Sequence, residues 1–160
     1  MNAPKDLSSS VNPTDAHTSY LNLTWQQYEE AADKIAEHLA GHFQNSVTKM
    51  LDIRSIYGVP RGGIFLADRI SRRLGFSREQ SFKKRIALNY SFHRLATVIV
   101  DDVADSGKTL EKLTKFQVGV VYTVTWVRKP QSIVTPDFSV DVVSDDTWVN
   151  FPWEVEALYG

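Results

Sequence analysis

The chain has 160 residues, 42% apolar and 23% charged, and its 18 basic and 19 acidic side chains leave a formal charge of -1. That length carries one globular domain with its own core, and the balanced charge excludes a general attraction to nucleic acid or an anionic membrane. The absence of cysteine excludes disulfides, thiolate metal sites and cysteine nucleophiles, and suits a reducing, cytoplasmic setting.

No apolar run approaches the roughly 20 residues of a membrane span. Residues 1–19 are polar, include Pro4 and Pro13 and lack a hydrophobic signal core; they read as a mobile tail ahead of one domain over 20–160. Thr24-Trp25-Gln26-Gln27 has the form of a capping box. Trp25, Tyr28, Ala32, Ile35 and Leu39 then recur at helical spacing, with Gly41 as the expected stop. His38 and His42 lie one turn apart on this helix. With no third ligand apparent, they read as a solvated face rather than a metal site.

Ile53 to Val59 is a short β-rich stretch ending in Pro60-Arg61-Gly62-Gly63, and Ile64 to Leu74 returns to helical periodicity before Gly75. Ser77 to Arg94 carries mixed signals and reads as a weak strand with an exposed loop. Thr97-Val98-Ile99-Val100 is a β-branched run of the kind buried on both faces of a parallel sheet. It leads into Asp101-Asp102-Val103-Ala104-Asp105-Ser106-Gly107-Lys108-Thr109 and a short helix through Leu110 and Leu113. Val118 to Val127 and Ser139 to Val143 complete the strands. This alternation predicts a single α/β domain with a mainly parallel sheet flanked by helices.

Ligands of such sheets bind beyond the carboxyl ends of the strands, where two glycine turns here precede helices. At the second turn, Gly107 permits a tight bend, and Ser106, Lys108 and Thr109 supply donors beside a helix N-terminus. Together they form a phosphate cradle. Asp101 and Asp102, one step back, suit sugar hydroxyls. A nucleotide P-loop is excluded because its first glycine would fall at Asp102; a plain turn capped by Asp105 or Ser106 is the other reading.

The run Val98 to Thr109 resembles the phosphoribosyl pyrophosphate motif of type I phosphoribosyltransferases. Aspartate at position 105 is similar to the 6-oxopurine members, and implies that Asp105 is catalytic, moving a proton at purine N7. Tyr57 to Gly63 resembles the family's pyrophosphate loop, so Arg61, Gly62 and Gly63 would hold the leaving group; the family often has a cis bond entering the Arg61 position. Val127 to Pro130 and Asp145 to Glu154 look like bacterial xanthine–guanine phosphoribosyltransferase. The likeness implies that Lys129 donates to the purine O6, Trp148 stacks on the base, the backbone of Val149 pairs with its edge, and Asp102 and Glu154 hold Mg2+. Trp153 reads as structural.

The resemblance covers Thr24 to Glu154 and implies a small C-terminal hood over the base. It also implies phosphoribosyl pyrophosphate and a purine as partners, no nucleic acid or membrane, and a homodimer or homotetramer. The stretch before Thr97 is shorter than the family's lid. Within it, Lys83-Lys84-Arg85 reads as a solvated basic turn, and Tyr90 as either lid or strand. The alternatives are a phosphoribosyl pyrophosphate-sensing regulator and a transferase for another nucleobase.

Overall fold

The computed structural model describes residues 19–44, 52–76, 95–115, 117 and 119–154. Residues 1–18 of the expected tail over 1–19, the stretch 77–94 with Lys83, Lys84, Arg85 and Tyr90, and Val118 lie outside the described residues, whereas Ser19 departs from that expectation as the first residue of a strand. No described helix is long and apolar enough to cross a membrane.

In chain order the elements are β1 (Ser19–Asn22), α1 (Trp25–Gln44), β2 (Asp52–Gly58), α2 (Gly62–Arg73), β3 (Leu95–Ala104), α3 (Lys108–Lys115), β4 (Val120–Arg128), β5 (Phe138–Val142) and β6 (Thr147–Asn150). Four parallel strands form one sheet in the order β2-β3-β4-β5, and β1 pairs in parallel with β6 in a separate two-stranded sheet. The α/β class expected from the alternation therefore holds.

Residues that alternate along β3 separate to the two faces of the sheet. Val98 and Val100 join Ile35, Leu39, Leu66 and Ile70 of α1 and α2, whereas Ile99 packs with Leu110 of α3. Helices thus cover both faces, which is why β3 reads as a continuous apolar run. Each of these fully buried aliphatic side chains contributes roughly 1.5–3 kcal/mol by leaving water. Tyr28 Oη donates to Phe65 O at 2.8 Å and Arg73 Nε meets Asp33 Oδ1 at 2.8 Å, fixing α1 against α2.

The capping box forms as read: Thr24 N donates to Gln27 Oε1 at 2.9 Å, and Gln27 N to Thr24 Oγ1 at 3.2 Å. Gly41, however, does not end α1. The helix runs on to Gln44 because Phe43, one turn beyond Leu39, is also buried against the core. A second correction concerns His38. It is half-buried and stacked on Phe138 with ring centroids 3.9 Å apart, and its Nε2 lies 2.8 Å from Tyr122 Oη. Aromatic residues of β4 and β5 thus draw His38 out of the solvated face, while His42, 4.6 Å from the Tyr122 ring, stays exposed. Among the described residues no group of three His, Asp or Glu side chains could hold a metal.

Two glycines predict opposite outcomes. A Cβ on Gly58 would lie 2.7 Å from both Gly63 O and Ile64 Cα, whereas one on helical, exposed Gly41 meets nothing within 4 Å. Gly58→Ala is expected to lower unfolding free energy by about 1–3 kcal/mol through forced separation of β2 and α2. Gly41→Ala is expected to raise it by about 0.5–1 kcal/mol. Urea unfolding of the two variants checks both signs.

Candidate active site

The parallel sheet delivers β2, β3 and β4 to one edge. A cavity of about 280 Å³ opens there, lined by Val59, Pro60, the run Asp101 to Gly107, Thr109 and Leu110. Of the residues expected at the site, Asp101, Asp102, Asp105, Ser106, Gly107 and Thr109 share this lining. Lys108 is exposed as the first residue of α3. Gly107 has φ +75°, a backbone state that favours glycine, and a Cβ there would lie 2.4 Å from Ser132 Oγ. The turn is thus packed against the connection after β4, where Ile133 N donates to Ser106 O at 3.1 Å.

Across the cavity, Val59 N donates to Val100 O at 2.8 Å, and the Pro60–Arg61 peptide bond is cis. Arg61 is exposed at the N-cap of α2 and makes no side-chain capping bond. Gly62 lies so close to Asp102 that a Cβ would overlap its carboxylate at 1.6 Å from Oδ2. The first turn of α2 and the acid pair therefore meet directly.

Asp101 is 7% exposed. Burial, reinforced by the adjacent Asp102 charge, pushes its carboxyl up to about 8. Asp102 is also raised, chiefly by burial and further by the charge of Glu154, although Val103 N donates to its Oδ1 at 2.8 Å. The two partly desolvated carboxylates of Asp101 and Asp102 are hard-oxygen donors, and Glu154 acts on Asp102 through its charge. Such donors suit magnesium, which typically takes one or two protein carboxylates and completes its shell with water and substrate phosphate. Glu154 Oε2 itself accepts from Phe151 N at 2.9 Å.

Lys129 is 3% exposed, with Nζ 3.3 Å from both Asp105 Oδ1 and Asp145 O. Its own N–H donates to Ala104 O at 3.0 Å, hooking the end of β4 onto the residue before Asp105. Trp148 and Val149 are not part of the cavity lining. They sit on β6 opposite Tyr20 and Leu21 of β1, with Trp148 45% exposed and Val149 buried. Trp153 is stacked between Phe65 at 5.0 Å and Phe151 at 5.1 Å, in agreement with a structural aromatic.

Gln131 escapes the sequence reading, and Asp145, which opens the run to Glu154, carries no role of its own there. Gln131 Nε2 donates to Asp105 Oδ1, and Gln131 N donates to Asp145 Oδ1 at 2.9 Å. Position 131 follows a lysine–proline turn and carries no pattern that would single it out.

Residues 24–159 match the protein-family model described as phosphoribosyl transferase domain. A xanthine-guanine phosphoribosyltransferase of Cereibacter sphaeroides is 26% identical over 159 residues, which cover 89% of this chain and 92% of that protein. A solved purine phosphoribosyltransferase from Pyrococcus horikoshii superposes with TM-score 0.63 at 28% identity, covering 88% of this chain and 98% of its own. A Helicobacter pylori xanthine-guanine-hypoxanthine phosphoribosyltransferase gives 0.64 at 19% identity over 87% and 94% of the two chains, a likeness of fold alone.

The raised acid at position 101 has a signed consequence for stability. A carboxyl whose folded value lies above its unfolded one is fully stabilising below the unfolded value. That stability is lost as pH rises toward about 8. Without magnesium at pH 7.5, Asp101→Asn should therefore stabilise the protein by roughly 1–3 kcal/mol, or about 2–4 °C per kcal/mol in thermal midpoint. The gain should shrink as pH falls toward 4. A gain independent of pH would rule out desolvation of this carboxyl as its source.

Proposed function

We propose the reaction from one premise: the chain belongs to the phosphoribosyl transferase domain family. It transfers the 5-phosphoribosyl group of phosphoribosyl pyrophosphate to N9 of a 6-oxopurine, namely guanine, xanthine or hypoxanthine. The C1–N9 bond forms while the bond from C1 to pyrophosphate breaks, and the electron pair leaves with pyrophosphate. The protein acts in the cytoplasm, as a homodimer or homotetramer.

The observation that carries the choice of base is the environment of Lys129. An ammonium has three N–H donors and no acceptor. Here Asp105 and Asp145 lie within reach of a lysine nine-tenths buried. The remaining donor can meet a carbonyl oxygen at purine C6 but not the amino group of adenine, which would set donor against donor. The relatives whose names specify xanthine and guanine support the same choice.

The other roles rest on the likeness of these residues to the family's motifs. Asp105, Ser106, Gly107, Lys108 and Thr109 anchor the 5-phosphate at the N-terminus of α3, where free N–H groups and the helix dipole favour an anion. This binding, remote from C1, positions the reacting atom. Asp101 and Asp102 orient the ribose hydroxyls, and magnesium, held by Asp102 and Glu154 when bound, supplies charge neutralisation for the leaving pyrophosphate. Arg61 and the backbone of Gly62 and Gly63 also stabilise that departing charge. Trp148 stacks on the base, an interaction worth roughly 1–3 kcal/mol, and the Val149 backbone pairs with its edge. Asp105 accepts the proton released at N7 as N9 bonds to C1.

The deciding experiment measures pyrophosphate release with magnesium and phosphoribosyl pyrophosphate, offering guanine, xanthine, hypoxanthine, adenine and orotate in parallel. Release with a 6-oxopurine and none with adenine is expected; release with adenine or orotate alone would overturn the base assignment. Asp105→Asn should lower kcat by roughly 100-fold or more, the usual scale for a lost general acid–base, with little change in KM for phosphoribosyl pyrophosphate. Lys129→Met should chiefly weaken use of the purine.

A further inference from the structure

We propose that Gln131 is a positioning residue for Asp105, an inference that rests on the catalytic role given to Asp105 above. Four residues from three segments close a ring. Gln131 Nε2 and Lys129 Nζ both reach Asp105 Oδ1, while Asp145 receives the Gln131 backbone N–H on its carboxylate and Lys129 Nζ on its carbonyl. Asp145 thereby sets the height of both donors relative to Asp105.

The two donors are not equivalent. An ammonium is a point charge with rotating hydrogens, so Lys129 attracts the Asp105 carboxylate without fixing its plane. A side-chain amide N–H is directional, and its bond weakens steeply when misaligned. Together they hold Oδ1 and leave proton transfer to Oδ2. The amide matters most when Lys129 turns a donor toward the base oxygen, because its hold on Asp105 is then shared. Nothing about burial compels this bond, since Gln131 is exposed and water would satisfy its amide equally well. What the bond achieves is orientation of a carboxylate that is itself 47% exposed and so is not held by packing on every side.

The test is a kinetic double-mutant cycle on the full chain. Gln131→Met keeps length and removes the donor; Gln131→Glu keeps shape and brings a like charge. Each is measured alone and in an Asp105→Ala background. For Gln131→Met, kcat with a 6-oxopurine should fall about tenfold, or about 1.4 kcal/mol, with KM for phosphoribosyl pyrophosphate unchanged. For Gln131→Glu the fall should be greater. Neither should lower activity further once Asp105 is replaced, because a residue acting through another loses its effect with it. An active wild type with unaltered kcat in both Gln131 variants overturns this inference and leaves the functional reading standing. So does a loss that persists undiminished in the Asp105→Ala background, which would mark a merely structural role. A wild type that transfers to no base overturns the functional reading, and this inference with it.

Discussion

Strand β3 carries Val98, Ile99 and Val100 through the middle of the sheet with both faces covered, then presents Asp101 and Asp102 at the carboxyl edge. The apolar part is what places the acids: strands on both sides fix its register, and helices on both faces exclude water from it. The acids are therefore held where their charge is disfavoured, and Asp101 is pushed up to about 8. Gly62 lies against Asp102 because no side chain would fit there. The first turn of α2, the cavity and the glycine turn into α3 are all arranged around that one strand end.

A second constraint sits at Lys129. Burying an ammonium is costly without partners, and the partners it has are Asp105 Oδ1 and Asp145 O. Through them the end of β4, the turn after β3 and the segment entering β6 become one polar unit. Charge is thereby concentrated at two points, an excess of carboxylates at the strand end and a compensated lysine beside it. The carboxylates repel an anionic ligand unless a cation stands between them, whereas the lysine favours a carbonyl oxygen.

Much of this was legible because it is local. The capping box at Thr24 needs only four residues, and the β-branched run from Thr97 to Val100 declares its burial by composition. The turn from Asp101 to Thr109 concentrates glycine, acids and donors in nine positions. What escaped depends on neighbours distant in sequence. His38 reads as a solvated helical residue until Tyr122 and Phe138 arrive from β4 and β5. Gly41 reads as a stop until Phe43 is seen to have a place in the core. Strands β1 and β6 are four residues each, too short for their periodicity to speak. Gln131 is one polar residue after a proline, and only the meeting of three segments gives it a partner.

The pairing of β1 with β6 joins residues 128 apart in the chain, as in the bond between Ser19 Oγ and Thr147 Oγ1. It forms a sheet of its own rather than an edge of the main one. Contacts that close so long a loop form late in folding, and a short pair outside the central ladder is the kind of unit that opens sub-globally while the rest of the protein stays folded. Trp148 rides on that unit, whereas the cavity is built on β3. Outward-facing Trp148 would move with any such opening, while Val149 beside it, buried in the main core with Leu23 and Phe151, ties the pair to the body of the protein.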